Sequence, residues 1–191
     1  MKQWLSILGL VLIAVGCVPS LNPIYTEADV IFEPWLIGTW AEPDSTSTWE
    51  FSKAGAKKYK LVQTDSDGQT AAFEARLVKL KDHRFLDIIL SEVMQPEPKL
   101  NGWAAFSLMP GHLIFHVPEV GSTLKIAAMN PDWIKEHLAS NPGAIAHRKA
   151  AGDSMILTAS TKELQEFVLR HVGGEGLFGG PMELEQSGKT P

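Results

Sequence analysis

The chain has 191 residues and a single cysteine, Cys17. One cysteine cannot form an internal disulfide, so a small domain held together by disulfides is excluded. A long hydrophobic run is also missing, because the apolar stretch that begins at Trp4 is broken by Pro19 and again by Pro23. A transmembrane helix needs about 20 consecutive apolar residues, so the sequence disfavours a permanent membrane span.

Clusters of basic residues are equally scarce. The chain has 17 Lys+Arg against 22 Asp+Glu, and its densest basic group is Lys57, Lys58 and Lys60. Nucleic-acid binding needs several basic residues together to neutralise phosphates, so nucleic acid is disfavoured as a partner. The acidic balance also argues against the protein body lying flat on anionic lipid.

The first residues have the composition of a secretory signal. Lys2 provides a basic start, an apolar run over residues 4–15 follows, and small residues lead to Gly16 and Cys17. This order is typical of a cleaved signal peptide. We therefore expect a signal peptide over residues 1–16.

The end of that segment, Ala14-Val15-Gly16-Cys17, resembles the lipobox of bacterial lipoproteins, with Ala14 where the family usually carries leucine. The resemblance implies cleavage between Gly16 and Cys17, a diacylglycerol thioether on Cys17, and acylation of the new amino terminus. Several acyl chains anchor firmly, because each buried methylene contributes about 0.8 kcal/mol. The alternative is an ordinary signal that leaves a free thiol. Val18 rather than aspartate follows Cys17, which by the same analogy favours the outer membrane, facing the periplasm.

Residues 35–172 have the pattern of one domain, mainly β with two late helices. Apolar residues recur at every second position, the period of a strand, between short turn segments. The predicted strands are 48–52, 57–63, 73–77, 85–90, 103–109, 113–117, 123–129 and 155–158. A series of this kind predicts an antiparallel barrel or sandwich of about eight short strands.

Two helices are predicted late in the chain. Asn130, Pro131 and Asp132 are a helix start, and the helix should end at residues 141–143. Ser160 and Glu163 match a capping box. An apolar stripe at helical spacing follows them: Leu164, Phe167, Val168 and His171.

Two further segments flank this domain. Residues 17–34 are predicted to be a lipidated tether that lifts the domain from the membrane and packs on it in part. Residues 173–191 are rich in glycine and are predicted to be a flexible tail.

Gly38-Thr39-Trp40, at the head of the strand series, resembles the Gly-x-Trp motif of lipocalins. The resemblance implies a closed eight-stranded barrel with a cavity for a small apolar ligand, in which Trp40 plugs the closed end. The chain departs from the family in lacking a Thr-Asp-Tyr motif and in placing a helix before its last strand. Arg148 and Arg170 are unassigned candidates for the arginine that the family stacks on its tryptophan. Another half-open barrel, with Trp40 as a core residue, is the alternative.

Other short motifs lack the context that their chemistry needs. The glycines of residues 174–179 follow a helix rather than a strand, which disfavours a dinucleotide site. Gly152-Asp153-Ser154 precedes a strand, where a hydrolase nucleophile would follow one. His112 and His116 lie on a predicted strand, where four residues span about 13 Å, too far for one zinc ion. The other histidines are scattered: His83, His137, His147 and His171.

Asp87 is the candidate polar residue of the domain, because it lies among apolar residues over 85–90. A carboxylate there is costly to bury without partners. It either lines a cavity and receives a ligand, or faces solvent or backbone amides.

These patterns predict a non-enzymatic envelope lipoprotein, membrane-tethered, that binds a small apolar ligand in a barrel. The alternative is a structural or assembly lipoprotein that acts through protein–protein contacts; a hydrolase using Ser154 is a third hypothesis. No catalytic residue, metal or cofactor is predicted, and the ligand-contacting residues are unassigned. The first two hypotheses differ in whether the interior is filled by side chains, the candidates being Tyr59, Phe73, Phe106 and Phe115.

Overall fold

The computed structural model describes residues 18–93, 111–149, 155–174 and 176–187. Gly16 and Cys17, the predicted cleavage and lipidation residues, lie outside the described residues. The predicted strand at 103–109 and the motif that contains Ser154 lie outside them too.

Eleven strands and two helices are present in the described part of the chain. The strands are β1 (Val30–Ile31), β2 (Gly38–Ala41), β3 (Thr48–Gly55), β4 (Lys58–Thr64), β5 (Thr70–Leu80), β6 (His83–Val93), β7 (His112–Val120), β8 (Thr123–Ala128), β9 (His147–Lys149), β10 (Met155–Leu157) and β11 (Met182–Gln186). The helices are α1 (Pro131–Ser140) and α2 (Thr161–His171), and a single 3-10 turn covers Pro34–Leu36.

The predicted lipocalin-like barrel is confirmed. Eight antiparallel strands follow one another in the order β5-β4-β3-β2-β11-β8-β7-β6, and β6 pairs back with β5 to close the cylinder. The ninth strand of the sheet, β1, lies outside the cylinder and pairs with the end of β5, at Leu77 and Val78. Closure pairs both edges of every barrel strand, which removes the exposed edges that an open sheet presents.

Side chains at alternate positions of the barrel strands point inward and form one core. The predicted alternation holds, because Trp49 and Phe51 share the buried face of β3, and Tyr59 and Leu61 share that of β4. The inward set includes Trp40, Trp49, Phe51, Tyr59, Leu61, Leu77, Leu86, Ile88, Phe115, Leu124 and Leu184. The barrel interior is therefore lined by large apolar and aromatic residues.

A second core lies between the outer wall of the barrel and the helices. Strands β5, β6 and β7 contribute outward-facing residues, and the helices contribute their apolar stripes. Its members include Val78, Phe85, Ile114, Ile134, Leu138, Leu164, Phe167 and Val168. Both helices begin as predicted: Asn130 Oδ1 accepts hydrogen bonds from two amides of α1, and Ser160 and Glu163 form the capping box of α2. Neither helix of the described part is of the length and apolarity needed to cross a membrane.

The prediction of a flexible tail over residues 173–191 is wrong for residues 182–186. These form β11, which pairs with β8 on one side and with β2 on the other. Leu184 is fully buried in the interior, while Glu183 and Glu185 face outward. A strand of alternating apolar and acidic residues therefore completes the barrel. The glycines before it belong to the connection between α2 and β11.

The predicted last strand, 155–158, is also placed differently. It forms β10, which pairs with β9 outside the barrel. Its other edge pairs with Ser20, which also pairs with His112 at the start of β7. Residues 19–21 therefore join the barrel wall to the β9–β10 hairpin.

This pairing corrects the prediction of a tether over residues 17–34. Val18, Ser20 and Ile24 are buried, and Val30 and Ile31 form β1. The described part of the segment is built into the fold because its backbone groups bond to neighbouring strands and its apolar residues join the second core.

The Gly-x-Trp motif lies on β2. Trp40 is buried, its indole Nε1 donates a 2.9 Å hydrogen bond to the carbonyl oxygen of Leu36, and Trp35 packs edge-on against it. Gly38 has a φ of +133°, and a Cβ there would lie 2.5 Å from Gln186 Nε2. The positive φ favours glycine here, whereas the flexible amide end of Gln186 could move to make room for a Cβ.

Candidate functional site

The barrel interior is the predicted ligand site, and aromatic rings occupy it. Tyr59 is fully buried, and Phe115 is 6% exposed. Phe115 packs edge-on against Trp49 with ring centroids 5.6 Å apart, and Phe51 packs edge-on against Tyr59 at 6.4 Å. Phe73 is half-buried against the same cluster; Phe106 lies outside the described residues. Three of the four candidate residues therefore pack in or against the interior.

Tyr59 is also tied at its polar end. Its hydroxyl accepts a 2.7 Å hydrogen bond from the amide of Glu33 and donates to the carbonyl of the same residue at 3.1 Å. Burial raises the pKa of the Tyr59 phenol, so the group stays protonated and able to donate. The ring of Phe32 stacks on it at 5.0 Å. The hydrogen bonds of its hydroxyl and the packing of its ring hold Tyr59 in one position in the interior.

Asp87 lies on the opposite face of the wall, in the second core. Its side chain is 1% exposed. Oδ2 accepts a 2.9 Å hydrogen bond from the amide of Ile24, and Oδ1 lies 2.6 Å from Nδ1 of His112. The structure therefore supports the reading in which Asp87 binds a backbone amide, and it places the residue outside the barrel interior.

The strand register explains this pairing. Asp87 lies opposite Ile114 in the β6–β7 ladder, so His112, two residues along β7, is its diagonal neighbour on the same face. The backbone of His112 in turn exchanges two hydrogen bonds with Ser20. A single carboxylate thus connects β6, β7 and the N-terminal segment.

Tyr25 and Arg76 complete the polar group around Asp87. The Tyr25 ring lies edge-on to the His112 ring at 6.5 Å. Burial, and secondarily the charge of Asp87, raises the pKa of Tyr25. Arg76 lies opposite Asp87 in the β5–β6 ladder and pairs with Glu74 at 2.8 Å, and its Nη1 is buried without a hydrogen-bond partner among the described residues.

An Asp–His pair of this geometry can orient an imidazole for proton transfer, which requires a reacting group within hydrogen-bond reach. The hydroxyl of Ser20 donates instead to the carbonyl of Asn22. Among the residues that the structure describes, the side-chain hydrogen bond of His112 is the one to Asp87, and no hydroxyl or thiol is hydrogen-bonded to its ring. The geometry therefore supports a structural role: the pair holds the N-terminal segment against the wall.

The sequence had indicated that the other histidines are scattered. In the structure, four histidines form two pairs. His83 and His116 lie with ring centroids 5.6 Å apart, beside the rings of Phe85 and Phe178. Burial, and secondarily His83, lowers the pKa of His116 to about 4. The His116 imidazole is therefore neutral near pH 7.

The second pair joins the two helices. His137 and His171 have ring centroids 4.9 Å apart, and the indole of Trp133 stacks on His137 at 4.7 Å. Burial lowers the pKa of His171. Both imidazoles border a shallow surface depression of about 480 Å³, together with Arg170. His171 is thus only partly buried, although it belongs to the apolar stripe of α2.

Two candidate motifs of the sequence have a structural explanation. His112 and His116 lie on strand β7, as predicted, and contact different partners, Asp87 for the first and His83 for the second. In the described segments, no cluster of three or more His, Cys, Asp or Glu side chains is placed to hold a metal ion.

Gly176 belongs to the glycine motif of residues 174–179. It has a φ of +123° and lies against the indole of Trp133.

Sequence reasoning named Asp87 and His112 separately and missed their pairing. The pairing could have been inferred from one signal: Asp87 and His112 both lie on outward faces of adjacent antiparallel strands. It also placed Arg148 and Arg170 as possible partners of Trp40. They lie on β9 and α2, outside the barrel, whereas Trp40 lies inside it.

The chain was compared with known protein families, with curated proteins and with solved structures. None of the three comparisons finds a significant match.

Proposed function

We propose that this chain is a lipid-anchored lipoprotein of the bacterial cell envelope that acts through its surface, as a structural or assembly component. The observation that carries this proposal is the packing of aromatic rings against one another in the barrel interior. Rings of Trp49, Phe51, Tyr59 and Phe115 pack against one another where a carrier protein would hold its ligand. Rings that pack together in the interior leave less room there for a ligand, which favours recognition through the outer surface.

The anchor is supported by the lipobox resemblance at Cys17 and by its single-cysteine composition. A lone unmodified thiol would be exposed to oxidation outside the cytoplasm, and acylation of Cys17 removes that thiol. Val18 after the cysteine favours the outer membrane, with the domain in the periplasm. The proposed role requires no catalytic residue.

A small apolar ligand in the barrel is the second candidate. Its support is the closed eight-stranded architecture and the apolar lining, because a barrel of this size is either filled by side chains or holds one small molecule. The packed rings support the surface role over the carrier role.

Metabolic labelling with a palmitate analogue tests the anchor. Wild-type protein should incorporate the label, and a Cys17→Ser variant should not. Equal labelling of both proteins, or a mature amino terminus other than Cys17, would disprove the proposed anchor.

In-cell photo-crosslinking tests the surface role. A photoreactive residue is placed at Glu50 on β3, at Glu136 on α1 or at Glu166 on α2, which are all exposed. At least one position should yield a crosslinked species of defined mass. Failure at all three positions, together with a small molecule released by organic solvent from the purified protein, would favour the carrier role instead.

A further inference from the structure

Two imidazoles from different helices meet at a surface depression. His137 lies in the last turn of α1, and His171 is the last residue of α2. Their ring centroids are 4.9 Å apart. Both residues are partly exposed and border the depression of about 480 Å³. Water and dissolved ions can therefore reach both rings.

Aromatic neighbours hold the two imidazoles close together. The indole of Trp133 stacks on His137 at 4.7 Å, with 12° between the ring planes. The Phe167 ring lies 4.9 Å from that of His171 and 5.9 Å from that of His137. Because Phe167 is buried in the second core, the fold itself brings the imidazoles together. A ligand that needs both rings therefore meets a largely preorganised pair.

The ring nitrogens of this pair differ from those of a histidine that is bound within the fold. Nδ1 of His147 lies 2.9 Å from the carbonyl oxygen of Ile145. No such hydrogen bond joins a ring nitrogen of His137 or His171 to another residue of the described ranges. The torsion that turns a histidine ring is broad and roughly two-fold, so each ring can direct a nitrogen toward the depression.

The distance between the rings suits one metal ion. Two imidazoles that bind one Zn²⁺ at about 2.1 Å per nitrogen have ring centroids about 5 Å apart. The observed separation of 4.9 Å meets this requirement without movement of either helix. Imidazole nitrogen is a preferred ligand of Zn²⁺, Cu²⁺ and Ni²⁺.

The electrostatic field at this position includes terms of both signs. His137 and His171 lie in the last turns of their helices, and the carboxyl end of a helix carries a partial negative charge that favours cations. The guanidinium of Arg170 borders the same depression and opposes a cation. Arg170 is exposed, so solvent screens its charge.

We propose that His137 and His171 together bind one divalent transition-metal ion of the Zn²⁺ class where α1 and α2 meet. Water completes the coordination from the open side of the depression, because two protein ligands leave positions of a tetrahedral ion vacant. A site with two protein ligands binds more weakly than a structural site with four. The bound ion joins the carboxyl ends of the two helices, and the site does not depend on the lipid anchor.

Calorimetric titration with Zn²⁺ tests the proposal. The full chain carries Cys17→Ser and no affinity tag, so that neither a thiol nor added histidines compete for the ion. One Zn²⁺ should bind per chain. His171→Phe should abolish this binding, because phenylalanine keeps a ring against Phe167 and Trp133 but has no nitrogen. His137→Gln should abolish it too.

Two further variants serve as controls. His83→Phe removes a histidine from the other pair, which His83 forms with His116, and it should leave Zn²⁺ binding unchanged. Arg170→Gln removes the positive charge at the rim and should tighten Zn²⁺ binding about twofold. Circular dichroism of each variant verifies that it is folded.

NMR of the unsubstituted histidines locates the ion without relying on a variant that could fail to fold. The imidazole signals of His137 and His171 should shift when Zn²⁺ is added, and those of His83 should not. Absence of these shifts, or equal Zn²⁺ affinity with and without His171→Phe, would overturn the proposal. Loss of binding in Arg170→Gln would also overturn it, because the depression would then be a site for an anion.

Discussion

Asp87 Oδ1 lies 2.6 Å from Nδ1 of His112, and the other oxygen of the same carboxylate accepts the amide of Ile24. The carboxylate is buried, so both contacts form where water does not compete. The N-terminal segment is therefore held to the barrel by the buried carboxylate of Asp87 as well as by strand pairing.

Replacing this carboxylate should destabilise the protein. Asp87→Ala leaves the amide of Ile24 and the imidazole of His112 without their acceptor, and we expect a loss of about 3 kcal/mol in the free energy of unfolding. Asp82→Ala, at an exposed turn position, is the control and should change it by less than about 0.5 kcal/mol. Chemical denaturation of both variants measures the difference, and equal stability would show that the pair contributes nothing.

The C-terminal strand should be as important as any other barrel strand. Leu184 is fully buried, so Leu184→Ala should lower the free energy of unfolding by about 3 kcal/mol. Glu185→Ala, next to it and exposed, should be nearly neutral. Thermal unfolding followed by circular dichroism distinguishes the two. A neutral Leu184→Ala would mean that β11 is not part of the folded barrel.

Gly176 should resist substitution. A Cβ at this position would lie 2.2 Å from the indole of Trp133, and the φ of +123° is strained for other residues. We expect Gly176→Ala to cost about 2 kcal/mol or more. Gly180→Ala, in the same connection, meets nothing within 4 Å and should leave the melting temperature unchanged. Matching melting temperatures for the two variants would contradict the close contact with Trp133.

Mild acid should weaken the fold through His116. Burial and His83 lower its folded-state pKa to about 4, from a usual 6.5. The unfolded chain therefore binds a proton more readily in this interval. The contribution of the neutral ring to stability is complete above pH 6.5 and is lost as the pH falls toward 4.

His116→Phe should remove this dependence, because the ring lies beside Phe85 and Phe178. Between pH 7 and pH 5 the variant should lose about 1 kcal/mol less stability than the wild type, after allowance for solvent screening at a half-buried site. Denaturation curves at the two pH values provide the measurement. Parallel losses in both proteins would rule out His116 as the titrating group.

Local patterns predicted most elements of the fold. The caps at Asn130 and Ser160 located both helices, and strict alternation at Trp49, Phe51, Tyr59 and Leu61 located two strands and their buried faces. These features are determined by neighbours within a few residues. For that reason they can be identified before any tertiary contact is known.

Other elements depended on distant partners. Residues 182–186 alternate as a strand should, but the glycines before them favoured a flexible tail, and only pairing with β2 and β8 orders them. The proline-containing segment over residues 18–24 likewise gains its structure from β7 and β10. The contact of Asp87 with His112 required the register of β6 and β7, which sequence alone does not determine.

Strand β11 is the last of the barrel strands in sequence, and it pairs between β2 and β8. Until residues 182–186 have been synthesised, β2 and β8 each present an unpaired edge, a site for aggregation. Strands β11 and β2 lie far apart in the sequence, so their pairing raises the contact order of the domain. Folding slows as contact order rises. The two edges of the barrel therefore stay open until residues 182–186 pair with β2 and β8.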